Sequence, residues 1–225
     1  MRKLIACFLT VLILLISPLT SFAKKGEQAV ASCVACHGEK GNSQAPIFPK
    51  LAGQNKKYLI KQLDDFQQNK RKNPTMQGLA AGLTEQDIAD IADYYAAQTI
   101  EQVTAPVADP EDEDDDDDDE EEESEADVQL SQENLIILGK QLYISGNIES
   151  QVSACSACHA VDARGNSLAG FPALRNQHAT YLVSTLKQYR DGERLNDATG
   201  MMRMTAKRMS TQEINAVSAY LANLK

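Results

Sequence analysis

Five residues, Cys33-Val34-Ala35-Cys36-His37, return as Cys155-Ser156-Ala157-Cys158-His159 in a chain of 225 residues. This is the C-x-x-C-H pattern of c-type haem attachment, in which two thiols bond covalently to a porphyrin and the adjacent imidazole reaches its iron. Thiols three positions apart lie on one side of a helical turn, so both meet one flat macrocycle, and the next residue's imidazole comes under its centre. Two copies predict two covalently bound haem c groups, held by Cys33, Cys36, Cys155 and Cys158, with His37 and His159 on the irons. A zinc site would need four ligands, and neither half offers a second Cys pair or enough His. A thioredoxin-like dithiol would want a βαβ context, which the helical patterns do not supply.

Arg2 and Lys3 precede an apolar run from Leu4 to Ile16, then Ser17-Pro18 and Ser21-Phe22-Ala23. That is the layout of a secretory signal peptide, residues 1–23, cleaved after Ala23. The apolar run is short for a membrane span. Cys7 precedes most of that run, unlike a lipoprotein cysteine, and leaves with the peptide. The mature chain then has four cysteines, all in the two motifs.

The formal charge of −10 is unevenly spread, since sixteen of the thirty-two carboxylates lie between Asp109 and Asp127. From Lys24 to Ala108 there are ten Lys/Arg against nine Asp/Glu, and from Val128 to Lys225 ten against seven. The acidic block has no apolar periodicity and repels itself, which predicts an extended, disordered linker over 106–129. Its neighbours become two domains, 24–105 and 130–225, and Pro106 and Pro110 help to end the helix before it. Nothing arranges its carboxylates into a calcium site.

The two halves repeat each other. Phe48-Pro49-Lys50-Leu51-Ala52-Gly53-Gln54 lines up with Phe171-Pro172-Ala173-Leu174-Arg175-Asn176-Gln177, and Leu83-Thr84-Glu85-Gln86-Asp87-Ile88 with Met209-Ser210-Thr211-Gln212-Glu213-Ile214. An all-α fold is expected in each. Thr84 with Asp87 and Ser210 with Glu213 start a last helix, Glu213 being the better capping-box match. Ile88, Ile91, Ala92 and Tyr95, and Ile214, Val217, Ala219 and Leu221, give that helix one face to bury. Tyr58, Leu59, Gln62, Leu63 and Phe66 mark a middle helix, mirrored by Tyr181, Leu182, Thr185, Leu186 and Tyr189. A first helix is expected to carry the cysteines, with Leu135, Leu138, Leu142 and Tyr143 ahead of the second motif.

After cleavage Met76 is the only methionine of the first half, in Asn73-Pro74-Thr75-Met76, expected on a loop eight residues before Thr84. It is the candidate sixth ligand, because no other soft sulfur is available there. Met202 stands eight residues before Ser210, so the repeat selects it, with Met201 as runner-up and Met209 as core. Two of the three histidines belong to the motifs, so bis-histidine ligation at both irons is excluded; His178 is expected to be exposed.

These motifs, the Phe-Pro-x-Leu segments, Asn73-Pro74-Thr75-Met76, and Asn196 through Met201-Met202 together resemble the cytochrome c4 family, di-haem proteins made of two class I cytochrome c domains. The resemblance covers nearly all of both halves. It implies that the Pro49 and Pro172 carbonyls accept the other imidazole N–H of His37 and His159. It also implies a non-enzymatic electron carrier in the periplasm, taking electrons from a quinol-oxidising bc-type complex or similar donor toward a terminal oxidase, often at the membrane surface. A monomer that binds redox proteins and no nucleic acid fits this reading. The acidic insert departs from the family's shorter connection.

The expected function is an electron shuttle holding up to two electrons on His/Met-ligated haems, docking by a polar surface that Lys50, Lys56, Lys57 and Arg175 could line. A di-haem peroxidase fits the haem count but not the symmetry of the methionines. A haem subunit of a larger dehydrogenase or oxidase is the third reading.

Overall fold

The structure, a computed structural model, describes residues 29–102 and 131–224. The expected signal peptide, 1–23, and acidic linker, 106–129, lie outside them.

Side-chain caps start most of the helices. In the first half these are α1 (Val34–His37), α2 (Lys56–Gln67), α3 (Pro74–Ala80) and α4 (Glu85–Ala96). In the second they are α5 (Gln132–Ser145), α6 (Ser156–His159), α7 (Ala179–Arg190), α8 (Met201–Ala206) and α9 (Thr211–Ala222). Asn55 caps α2 from Lys57 N, and Ser131 caps α5 from Asn134 N. Thr84 with Asp87 and Ser210 with Glu213 both close complete capping boxes, so the weaker-looking Asp87 works as well. Each box satisfies two N–H groups that a helix start leaves without partners.

Two compact units result, residues 29–101 with Gly165–Ala173, and 102 with 131–164 and 174–224. In the first, α2 packs on α3 and α4, and Val30, Leu59, Ile91, Ala92 and Tyr95 are buried together. Within this unit the Gln54 side-chain amide bonds the Ala173 backbone in both directions, at 2.9 and 2.8 Å. In the second, α9 packs on α5 and α7 around Tyr143, Leu182, Met209, Ile214, Val217 and Leu221. Met209 is core, as expected. Gly139 lets α5 and α9 touch, since a Cβ there would lie 2.0 Å from the Ala216 carbonyl oxygen. Among the described residues the only β pairing is two isolated bridges, Asn147 with Val152 and Asn166 with Phe171.

One expectation is corrected. The long helix before the second motif does not carry the cysteines: α5 stops at Ser145, where Gly146 turns the chain at φ 70° and its N–H caps the Leu142 carbonyl. The bridge at Asn147–Val152 follows, and the cysteines arrive on a separate single turn. In the first half, too, they sit on a four-residue turn.

Glu213 ties this insertion to α9. Its carboxylate accepts from Asn147 Nδ2 and Ser150 Oγ, each at 2.8 Å, and from Ser210 N at 2.8 Å. Burial opposes its ionisation, but these bonds outweigh burial and hold the carboxyl below its ordinary 4.5. Glu213→Gln turns an acceptor into a donor among donors and is expected to cost about 1–3 kcal/mol in denaturant unfolding. The carboxylate's stabilisation is fully present above that ordinary value and is lost as pH falls through the lower folded value. Wild type and variant should therefore differ at pH 7 and converge in strong acid.

Candidate functional site

In the first unit, α1 winds Cys33, Cys36 and His37 onto one turn, with His37 N bonding Cys33 O at 3.0 Å. Gly38 ends it at φ 79°, where a Cβ would lie 2.6 Å from the Asn42 carbonyl oxygen. His37 is buried, and its Nδ1 is 2.8 Å from the Pro49 carbonyl oxygen. A carbonyl only accepts, so Nδ1 carries the proton and Nε2 keeps its lone pair. Burial pushes the imidazole below its usual range, favouring the neutral form that binds metals, while the Pro49 bond opposes this in part. Pro49 is held in turn: Leu51 N and Ala52 N bond Gly41 O at 2.7 and 3.0 Å, and Ser43 Oγ donates to Phe48 O at 2.7 Å. The expectation for Pro49 is met; that for Pro172 and His159 stands on the repeat alone.

Met76 is half-buried, and the structure corrects its setting: it lies in the first turn of α3, not on a loop. Asn73 accepts from Met76 N at 2.9 Å and Pro74 occupies the first helical position. An Asn cap followed by Pro is itself a helix-start signal, so this turn was readable from residues 73 and 74.

In the second unit α6 repeats the turn, with His159 N bonding Cys155 O at 3.0 Å and the His159 side chain buried. Burial drives the Cys155 thiol up to about 11. The residue after His159 is Ala160, held at φ 64°, where the first unit has glycine. Tyr143 Oη donates to the Ala160 carbonyl at 2.6 Å and braces that left-handed backbone. On α8, Met202 is half-buried while Met201 and Met204 are 43% and 59% exposed, which separates the repeat's choice from its runner-up.

Other expectations change. His178 is buried, at the N-terminal boundary of α7. Lys50 is buried as well, its Nζ donating to the Glu101 carbonyl at 2.6 Å, which removes it from any docking surface. Lys56 pairs with Asp93 at the surface, Lys57 donates to the Leu168 carbonyl, and Arg175 is half-buried.

Each unit thus offers two free thiols, a buried imidazole one residue on and a half-buried thioether. Among the described residues no cluster of three or more His, Cys, Asp or Glu could cage a metal by itself. This donor set fits a haem attached by thioether bonds and does not fit a protein-only zinc site.

The cytochrome c sequence pattern matches residues 23–97 and 136–225. The chain is 45% identical to a cytochrome c4 of Thiocapsa roseopersicina, over 85% of this chain and 86% of that one. The chain belongs to the cytochrome c4 family. The crystal structure of reduced recombinant cytochrome c4 from Pseudomonas stutzeri matches it with a TM-score of 0.74 at 37% identity, covering 90% of this chain and 98% of that one. A thiosulfate dehydrogenase electron acceptor of Stutzerimonas stutzeri is 34% identical over 87% of this chain and 80% of its own. As a cytochrome c4, the chain is an all-α, two-domain electron-transfer protein with two covalently bound haem c groups.

Asn73 is the side chain that starts the Met76 helix in this cytochrome c4. Asn73→Ala should lower stability by about 1 kcal/mol in denaturant titration of the haem-loaded protein; no change would mean that Pro74 alone sets the turn.

Proposed function

We propose that Cys33 and Cys36, and Cys155 and Cys158, form the thioether bonds, that His37 and Met76 ligate the first iron, and that His159 and Met202 ligate the second. The observation that carries this is the recurrence, in both units, of a buried imidazole closing a C-x-x-C-H turn and a half-buried methionine eight residues before the cap of the last helix. The haems supply one-electron chemistry at potentials that thioether ligation raises. The chain fixes the tautomer of His37 through Pro49, carries the two methionines on short helices and buries both imidazoles, which would leave them placed to hold the haem irons. Its domains are residues 24–105 and 130–225, joined by an acidic linker at 106–129.

The protein works in the periplasm as a monomer, exported by the peptide over 1–23. It carries electrons from a quinol-oxidising bc-type complex or another donor toward a terminal oxidase, with peripheral contact at the membrane surface. Among the described residues no helix is long and apolar enough to cross a membrane. A second reading has one observation in its favour: relatives named as thiosulfate dehydrogenase electron acceptors make a dehydrogenase a candidate donor. Reduction of the oxidised protein by such a dehydrogenase, compared with reduction by a bc-type complex, decides between the donors.

Met76→Ala and Met202→Ala should each lower one haem potential by on the order of a hundred millivolts, within the about 0.8 V that axial ligands span. Each should also open one iron to carbon monoxide, while Met201→Ala does neither. Unchanged potentials and coordination in Met76→Ala would overturn the assignment.

A further inference from the structure

The two units bury a phenol beside the first cysteine of their motifs, and they do so from different helices. In the first unit it is Tyr95 on α4, fully buried with Val30 and packed against Cys33. Gly41 makes the space, since a Cβ there would lie 2.7 Å from the Tyr95 ring. In the second, Leu221 holds the place of Tyr95 in the last helix, and Ala163 the place of Gly41, its carbonyl accepting from Leu174 N and Arg175 N as that of Gly41 does from Leu51 N and Ala52 N. The phenol comes instead from Tyr143 on α5, in one buried cluster with Leu221 and with Cys155 packed against it.

The two hydroxyls have different duties. Tyr143 spends its proton on the Ala160 carbonyl, at 2.6 Å. The first unit needs no such brace, because Gly38 takes the left-handed turn freely. Tyr95 Oη is buried with no hydrogen-bond partner among the described residues, in the cluster against which Cys33 packs, and the two side chains are close enough to interact electrostatically. A buried hydroxyl left without a partner is costly, so its retention calls for an acceptor.

We propose that in the haem-loaded protein Tyr95 donates its O–H to the Cys33 thioether sulfur and so raises the potential of the first haem, a polar contact that the second haem lacks. The positive end of the O–H dipole, in a low-dielectric setting, favours the reduced iron, which carries one positive charge fewer. Tyr95 is a positioning and tuning residue, not a ligand. The inference rests on the assignment of Cys33 and Met76 to one haem.

The test is a spectroelectrochemical titration of haem-loaded Tyr95→Phe and Tyr143→Phe, with the first haem identified as the one whose potential falls in Met76→Ala. Tyr95→Phe should lower that potential and leave the other in place. Tyr143→Phe should leave the second potential much less changed but lower the unfolding midpoint, with Ala160→Gly restoring it. Wild-type potentials in Tyr95→Phe, with Met76→Ala still shifting one haem, would overturn the inference alone; no haem responding to Met76→Ala would overturn the assignment beneath it. If Tyr95→Phe fails to mature, the C–S stretching bands of the unsubstituted protein in resonance Raman serve. One band shifting on transfer to D2O supports the bond, and no shift overturns it.

Discussion

The hydrogen bond from His37 Nδ1 to the Pro49 carbonyl is the constraint from which the first site takes its shape. It joins the cysteine-bearing turn to the loop before α2, fixes the imidazole tautomer and leaves Nε2 with its lone pair free. Around it, Gly41 receives the loop's backbone bonds and makes room for Tyr95, and Gly38 turns the chain away immediately after the histidine. An imidazole held this way would keep its orientation if it ligated a haem iron, which would suit electron transfer with little rearrangement.

The same scaffold, doubled, shows how one architecture tolerates different solutions. The second unit inserts a bridged loop between its long helix and its motif and secures it with a buried, three-bonded Glu213. It also replaces glycine by Ala160 after the histidine and braces that residue with a phenol. The replacement of Tyr95 by Leu221, with Tyr143 on α5 supplying the phenol instead, keeps a phenol in the cysteine layer while changing what its hydroxyl can reach. Near-equal folds can in this way present two unequal environments to two haems.

Much of this was legible in the residues because it is local. The C-x-x-C-H turns, the capping pairs Thr84/Asp87 and Ser210/Glu213, and the period of Ile88, Ile91, Ala92 and Tyr95 are all encoded within one or two helical turns. What stayed hidden depends on contacts distant in sequence. Gly146 stops α5 because the chain must double back to Val152, whose carbonyl oxygen a Cβ there would meet at 2.3 Å. Lys50 reads as a surface charge until the Glu101 carbonyl, fifty-one residues on, is brought to its ammonium. His178 reads as exposed in a polar stretch, yet the fold buries it. The helix under Met76 is also local chemistry, since Asn73-Pro74 announces it.

On the proposed ligation each unit holds one low-spin, His/Met-ligated haem, and the chain carries two electrons. A spectroelectrochemical titration of the mature, unsubstituted protein tests it most directly, following the visible bands as the potential is stepped. Two electrons taken up per chain at high potentials, with low-spin spectra throughout, are the predicted result. One high-spin or low-potential iron would contradict the claim and bring a peroxidase-like reading forward.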